Sequence, residues 1–225
     1  MGNGEWQMAN GESPNHQSPI PTPYSLLPTP PYRIGLTGNI ATGKSVVGRM
    51  LAELGAERID ADQVAHAVIA PDGAAYAAVV AAFGPDILAS DGTIDRRKLG
   101  DIVFSDPEAL ARLEQLTHPA IIAIIEARIA ASRAPAVVVE AIKLLESGIA
   151  DDYDAIWVTT CPEAEQLTRL MRSRGLTRES ALRRIHAQPP QAEKLARADV
   201  IIDTSGSLDA TRAQVIAAWE NIKRK

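Results

Sequence analysis

An α/β fold, a parallel sheet with helices on both faces, is what this sequence predicts. Two observations carry the prediction. Short apolar runs alternate with longer stretches of helical periodicity, and the first such run passes straight through a glycine turn into the first helical stretch. The chain has 225 residues, 46% of them hydrophobic and 23% charged, with a mean hydropathy of −0.05. That length suits one large domain or two small ones. The only cysteine is Cys161, which excludes an intrachain disulfide scaffold and fits a reducing compartment. No apolar run approaches the roughly 18–20 residues needed to cross a bilayer, so no membrane association is expected. A net charge of −5 disfavours a whole-surface nucleic-acid binder.

Residues 1–31 stand apart. They hold seven of the 15 prolines, two acids (Glu5 and Glu12) and no Lys or Arg, which leaves 23 basic against 26 acidic residues, a net of −3, for the rest. Few large apolar side chains lie among the Pro, Asn, Gly and Ser, so the segment reads as a disordered or polyproline-like tail. A secretory leader needs a basic start and an apolar stretch of about 7–15 residues. The tail has neither, and a cytoplasmic location is expected.

The folded part is expected over residues 32–225. Residues 33–37 form a short apolar strand, and 45–54 a helix, with Val46, Val47, Met50, Leu51 and Leu54 at helical spacing and Gly55 as its stop. Residues 58–62 read as a second strand that carries Asp60 and Asp62 on one side, because residues two apart in extended chain point the same way. Further strands are expected at 136–139, 156–159 and 200–202. Between Asp62 and Ala136 only helical patterns occur, which predicts a helical insertion at about 63–135 beside the sheet. Within it Pro119 is expected to open a helix running through Arg128 to Ser132. Thr160-Cys161-Pro162-Glu163 matches a capping box with Thr160 as the cap.

The chemistry lies in Gly38-Asn39-Ile40-Ala41-Thr42-Gly43-Lys44-Ser45, a GxxxxGK[ST] loop in its required setting, with a strand before it and a helix after it. Successive backbone N–H groups of such a loop and of the helix start converge on a polyphosphate. Asn39, Ile40, Ala41, Thr42, Gly43, Lys44, Ser45 and Val46 are therefore the candidate nucleotide-binding residues. Lys44 would place a full positive charge on the β- and γ-phosphates, and Ser45 its hydroxyl on the Mg²⁺ that accompanies ATP. A guanine-specifying Asn-Lys-x-Asp segment is absent. Val137-Val138-Val139-Glu140, the nearest approach to the apolar-acidic strand of a motor ATPase, ends in one acid only. A small kinase fits the size better. Such an enzyme must activate an acceptor hydroxyl, and Asp60 and Asp62 lie at the carboxyl end of a strand, where α/β sheets bind ligands. From Gln166 to His186 six arginines face one acid, Glu179. Arg169 and Arg172, at i and i+3, are placed to converge on one anion, and the segment at about 166–190 reads as an arginine-rich lid over the phosphates.

The order of Ile34-Gly35-Leu36-Thr37-Gly38, Gly43-Lys44-Ser45, Asp60-Ala61-Asp62, Gly92-Thr93-Ile94-Asp95-Arg96-Arg97, Val103-Phe104, His118-Pro119, Leu144-Leu145-Glu146, Ala187-Gln188 and Ala198-Asp199-Val200-Ile201-Ile202-Asp203 closely resembles the dephospho-coenzyme A kinases. The resemblance runs from Tyr32 to about Lys225. It implies a P-loop kinase fold: a five-stranded parallel sheet flanked by helices, a helical substrate-binding part and a lid. It also implies transfer of the ATP γ-phosphoryl to the ribose 3′-hydroxyl of dephospho-coenzyme A, the last step of coenzyme A synthesis. The sequence leaves the oligomeric state open, with a monomer the simplest expectation. By position Asp62 matches the family's general base, Lys44 and Ser45 its phosphate and Mg²⁺ contacts, and Arg169 its lid arginine, while His118 falls where the acceptor is bordered. Three departures stand out. Asn39 and Ala41 replace loop glycines and so are expected to avoid glycine-only backbone angles; Ile142-Lys143-Leu144-Leu145 stands where the family tends to have Pro-Leu-Leu, with Lys143 either a phosphate contact or a surface residue; Thr204 replaces a frequent Asn. The rival readings are a kinase for another small acceptor, such as a nucleoside or nucleotide, and a non-catalytic nucleotide-binding module.

Overall fold

The structure, a computed structural model, describes residues 30–146, 148 and 150–222. Apart from Pro30 and Pro31, the segment read as a proline-rich tail lies outside them. Five strands, β1 (Tyr32–Thr37), β2 (Glu57–Asp60), β3 (Ala136–Glu140), β4 (Ala155–Thr160) and β5 (Val200–Asp203), form one sheet in the order β2-β3-β1-β4-β5. Every pairing is parallel; Leu36 sits opposite both Glu140 on β3 and Trp157 on β4. A sheet covered on both faces needs apolar side chains pointing both ways, and β3, Ala-Val-Val-Val-Glu, is buried at all five positions. Alternate residues then feed different cores. Ile34, Leu36, Val138 and Trp157 pack with Val47 and Leu51 of α1 (Lys44–Glu53) and Val215 and Trp219 of α9 (Leu208–Ile222). Val137, Val139 and Ile59 pack on the opposite side.

That opposite side is covered by four helices in succession, α2 (Ala61–Val68), α3 (Tyr76–Phe83), α4 (Arg96–Ser105) and α5 (Pro107–Ala131), which contribute Val64, Val79, Leu99, Val103, Ile125 and Ile129. After β4 come α6 (Glu163–Arg174), α7 (Arg178–His186) and the short α8 (Gln191–Leu195).

Three local expectations give way. Residues 58–62 are not one strand: β2 ends at Asp60, whose side chain accepts the N–H groups of Asp62 and Gln63 and so caps α2. Asp62 is thus in the first turn of a helix, where the period-two rule does not apply. Pro119 lies inside the 25-residue α5, which Pro107 opens behind the Asp106 cap; a proline in mid-helix removes one i→i−4 bond, and the packing of Ile125 and Ile129 against β3 carries the helix across the gap. Thr160 is not a helix cap. It ends β4, its hydroxyl accepts the side-chain amide of Gln191, and α6 starts behind Pro162 with no side-chain cap.

Candidate active site

Chain order reverses around β1: the backbone goes first to β2 and β3 on one side, then to β4 and β5 on the other. The crevice outside the carboxyl ends of β1, β3 and β4 is therefore the topological switch point, the place where open α/β sheets bind ligands. The glycine loop of residues 38–43 fills that crevice. Thr42 locks it, its hydroxyl donating to Asn39 O at 2.8 Å and meeting Thr159 Oγ1 of β4 at 2.7 Å. Gly43 stands at the N-cap of α1 with φ +89°, and a Cβ there would lie 3.1 Å from Thr204 Cγ2, so a glycine is required. It offers no side-chain cap, and among the described residues no backbone bond takes the N–H groups of Gly43, Lys44 or Ser45. Three orphan donors at a helix start form a preset anion cradle. The Val46 N–H, by contrast, is bonded to Gly43 O at 2.9 Å.

The two substituted glycines behave differently. Ala41 has φ +61° and is the only described non-glycine residue in the left-handed region, against the expectation that it would avoid glycine angles. Apolar packing holds it there, because Ile40 and Ala41 sit against Leu170, Ala181 and Ile185 of the α6–α7 pair. Asn39 keeps an ordinary backbone, and its buried side-chain amide donates to Pro189 O at 3.1 Å.

Lys44 opens α1 beneath the loop. Burial pushes its ammonium below the usual lysine range, while the carboxylates of Asp62, Glu140 and Asp60 draw it back up. Those three acids are not equivalent. Glu140, 3% exposed, is locked to Arg58 by paired bonds of 2.5 and 3.0 Å. Asp60 is occupied by the α2 cap, by Gln63 Nε2 at 3.2 Å and by Arg58 at 3.6 Å. The Asp62 carboxylate makes no hydrogen bond or ion pair among the described residues and lines a cavity of about 350 Å³ together with Ala65, His118, Ile121, Ile125 and Lys143. A carboxylate with free lone pairs in a largely apolar cavity, near a phosphate-type lysine, is fit to accept a proton from a bound hydroxyl.

Around the other side of the loop, Arg169 donates Nη1 to Ala41 O at 3.2 Å and to Thr204 Oγ1 at 3.0 Å, and Nη2 to Thr204 O at 2.5 Å. The α6–α7 pair is thereby joined to the phosphate loop. Arg172 is exposed and makes no hydrogen bond or ion pair among the described residues, so the two arginines do not converge as placed here. The Ser45 hydroxyl is exposed in the first turn of α1, with no hydrogen bond among the described residues. Among those residues no three His, Cys, Asp or Glu side chains gather into a metal cage.

Two further residues bear on the site without a chemical signal in the sequence. Gln188 accepts the Ile40 N–H on its Oε1 at 2.6 Å, bridging the exit of α7 to the loop. Lys194, 2% exposed, donates to Ile142 O at 2.8 Å and to Glu146 Oε1 at 2.7 Å. Only the motif order around Ala187-Gln188 and Leu144-Leu145-Glu146 hinted at them. Isolated Gln and Lys residues are usually surface residues, and only the folded chain brings these to the crevice.

A parallel sheet in this order, with a glycine loop at its switch point and a lysine and a free carboxylate across the crevice, defines a P-loop kinase. The family model for dephospho-CoA kinase matches residues 32–210. A dephospho-CoA kinase of Geobacter metallireducens is 47% identical over 190 residues, 83% of this chain and 94% of its own length, and one of Carboxydothermus hydrogenoformans is 45% identical over 195 residues, 85% and 95%. Among solved structures, a Thermus thermophilus protein superimposes with a TM-score of 0.76 at 32% identity, over 86% of this chain and 98% of that one. The dephospho-CoA kinase of Campylobacter jejuni does so with a TM-score of 0.63 at 30% identity, over 85% and 97%. The chain belongs to the dephospho-CoA kinase family.

Proposed function

We propose that this protein transfers the γ-phosphoryl group of ATP to the ribose 3′-hydroxyl of dephospho-coenzyme A, and that Asp62 is the base that accepts the hydroxyl proton. The observation that carries the reading is the division of labour among the carboxylates near Lys44: Asp60 and Glu140 are spent on a helix cap and on Arg58, whereas Asp62 is unspent and lines a cavity. The N–H groups of Gly43, Lys44 and Ser45 hold the triphosphate, and the Lys44 ammonium offsets charge on the transferring group. Mg²⁺, when bound, neutralises part of the β- and γ-phosphate charge. The free Ser45 hydroxyl is the protein group that would hold it, and a single hydroxyl with phosphate oxygens and waters suits an ion that keeps most of its hydration.

The helices of about 63–135 bear the acceptor side of the site, with His118 on its wall, and the segment at about 166–190 acts as the lid that excludes water as a competing acceptor. Arg169 and Arg172 belong to that lid; Arg169, already bonded to the loop, stabilises the loop or the transferring phosphoryl. No helix of the described residues is long and apolar enough to cross a membrane. The lone Cys161 favours the reducing cytoplasm, where ATP is made available.

ADP release, measured with and without dephospho-coenzyme A and with the product identified by mass, tests the reaction. Acceptor-dependent ADP and a product heavier by one phosphoryl group are expected, and ATP binding without either would leave only a nucleotide-binding module. Asp62→Asn should lower turnover by about 10²–10⁴-fold, the range for losing a general base, while ATP still binds. Turnover near the unmodified rate would remove Asp62 as the base.

A further inference from the structure

The segment after β3 crosses the carboxyl end of the sheet and is held tightly. Ala141 N–H donates to Leu36 O at 3.1 Å, and Ile142 O accepts both Thr37 Oγ1 at 3.1 Å and Lys194 Nζ at 2.8 Å. Lys143 therefore projects from a fixed point. It lines two cavities at once. One, of about 350 Å³, contains Asp62 and largely apolar walls; the other, of about 340 Å³, contains Glu114 and Lys194; His118, Ile142 and Lys143 are common to both.

The two lysines of these walls differ in how they are held. Lys194 is buried and anchored by Glu146 and a backbone carbonyl. Lys143 is 63% exposed and, among the described residues, bonded only to Glu114, at 2.9 Å, which is itself 35% exposed. An ion pair this exposed is weak and easily exchanged. Under the proposed reaction the acceptor carries a diphosphate on its ribose 5′ carbon, while its 3′-hydroxyl must reach Asp62. The Asp62 carboxylate repels that diphosphate, so a cation is needed along the way out of the first cavity, and the boundary with the second cavity is where Lys143 stands.

We propose that Lys143 is a specificity-determining residue that binds the 5′-diphosphate of the acceptor, exchanging Glu114 for the phosphate oxygens when the acceptor enters. The assignment rests on the reading of the acceptor under Proposed function. Steady-state kinetics on the full chain with Mg·ATP and dephospho-coenzyme A test it, using Lys143→Met, Lys143→Arg and Glu114→Gln. Loss of a charge-assisted bond to phosphate should raise KM for dephospho-coenzyme A about tenfold or more in Lys143→Met, with kcat within about twofold and KM for ATP unchanged. Lys143→Arg should restore most of that loss. Glu114→Gln, which frees the lysine, should lower the same KM. A pair that only braces α5 against the β3 exit would move both variants in the same direction, or move neither, and either result overturns the proposal. Absence of acceptor-dependent turnover in the unmodified protein would instead strike the reaction itself, whereas turnover with an unchanged KM in Lys143→Met strikes Lys143 alone.

Discussion

Ala41 holds a backbone angle, φ +61°, that costs an L-residue about 1–2 kcal/mol. The strain persists because its carbonyl is tied to Arg169 at 3.2 Å and its side chain packs under the α6–α7 pair. Ala41→Gly should relieve it and stabilise the protein by about 1 kcal/mol, less whatever the lost methyl contributed to packing; urea unfolding showing a clear loss instead would mean that packing outweighs strain. Lys44 invites a second prediction at this scale. Burial lowers its affinity for the proton, against the pull of Asp62, Glu140 and Asp60, and a bound triphosphate restores that affinity. ATP binding should thus be accompanied by proton uptake once the pH exceeds the lowered Lys44 value, and affinity should fall as pH rises through it. Calorimetry in alkaline buffers of different ionisation enthalpy measures the uptake, which Lys44→Arg should abolish because a guanidinium stays charged. Equal uptake in both proteins would trace it to another group.

At the scale of elements, the contact between α1 and β3 depends on one missing side chain. A Cβ on Gly48 would lie 1.6 Å from Glu140 Oε1 and 3.1 Å from Arg58 Nε, so α1 approaches the buried ion pair only because Gly48 presents no atom there. In an open helix Gly→Ala stabilises by roughly 0.5–1 kcal/mol. Here the sign should reverse, with Gly48→Ala costing about 2–4 kcal/mol as Glu140 is driven off Arg58; denaturant titration finding a gain would refute the contact. The sequence showed a helix at this place but not the demand on Gly48, since nothing in residues 44–53 reveals which face meets Glu140. Element types along the chain were legible for the same reason that three boundaries were not. Periodicity reports which faces are apolar over many residues, whereas the β2–α2 junction and the start of α5 turned on local side-chain caps at Asp60 and Asp106, and Thr160 was drawn away from α6 by the distant Gln191.

For the whole molecule, the loop, the β5 exit and the α6–α7 pair form one bonded unit. Thr204 Oγ1 donates to Thr42 O at 2.8 Å and accepts from Arg169, and Gln188 takes the Ile40 N–H. A ligand seated on the loop should therefore protect the whole folded part. Thermal unfolding with Mg·ATP at about a hundred times its Kd should show a stabilisation of about 2.7 kcal/mol in a single cooperative transition; a transition in which the α6–α7 pair melts separately and unshifted would contradict that unity. The phosphate loop, the five strands and the candidacy of Lys44, Ser45 and Asp62 were determined by the sequence alone, because a contiguous motif and an apolar period depend only on neighbours along the chain. Which acid is left unspent, where Arg169 bonds, and that Lys143 stands between two cavities were decided by the tertiary structure. Each depends on a partner far away in sequence, Arg58 for Glu140, Thr204 for Arg169 and Glu114 for Lys143, and such pairings exist only once the sheet has closed around β1.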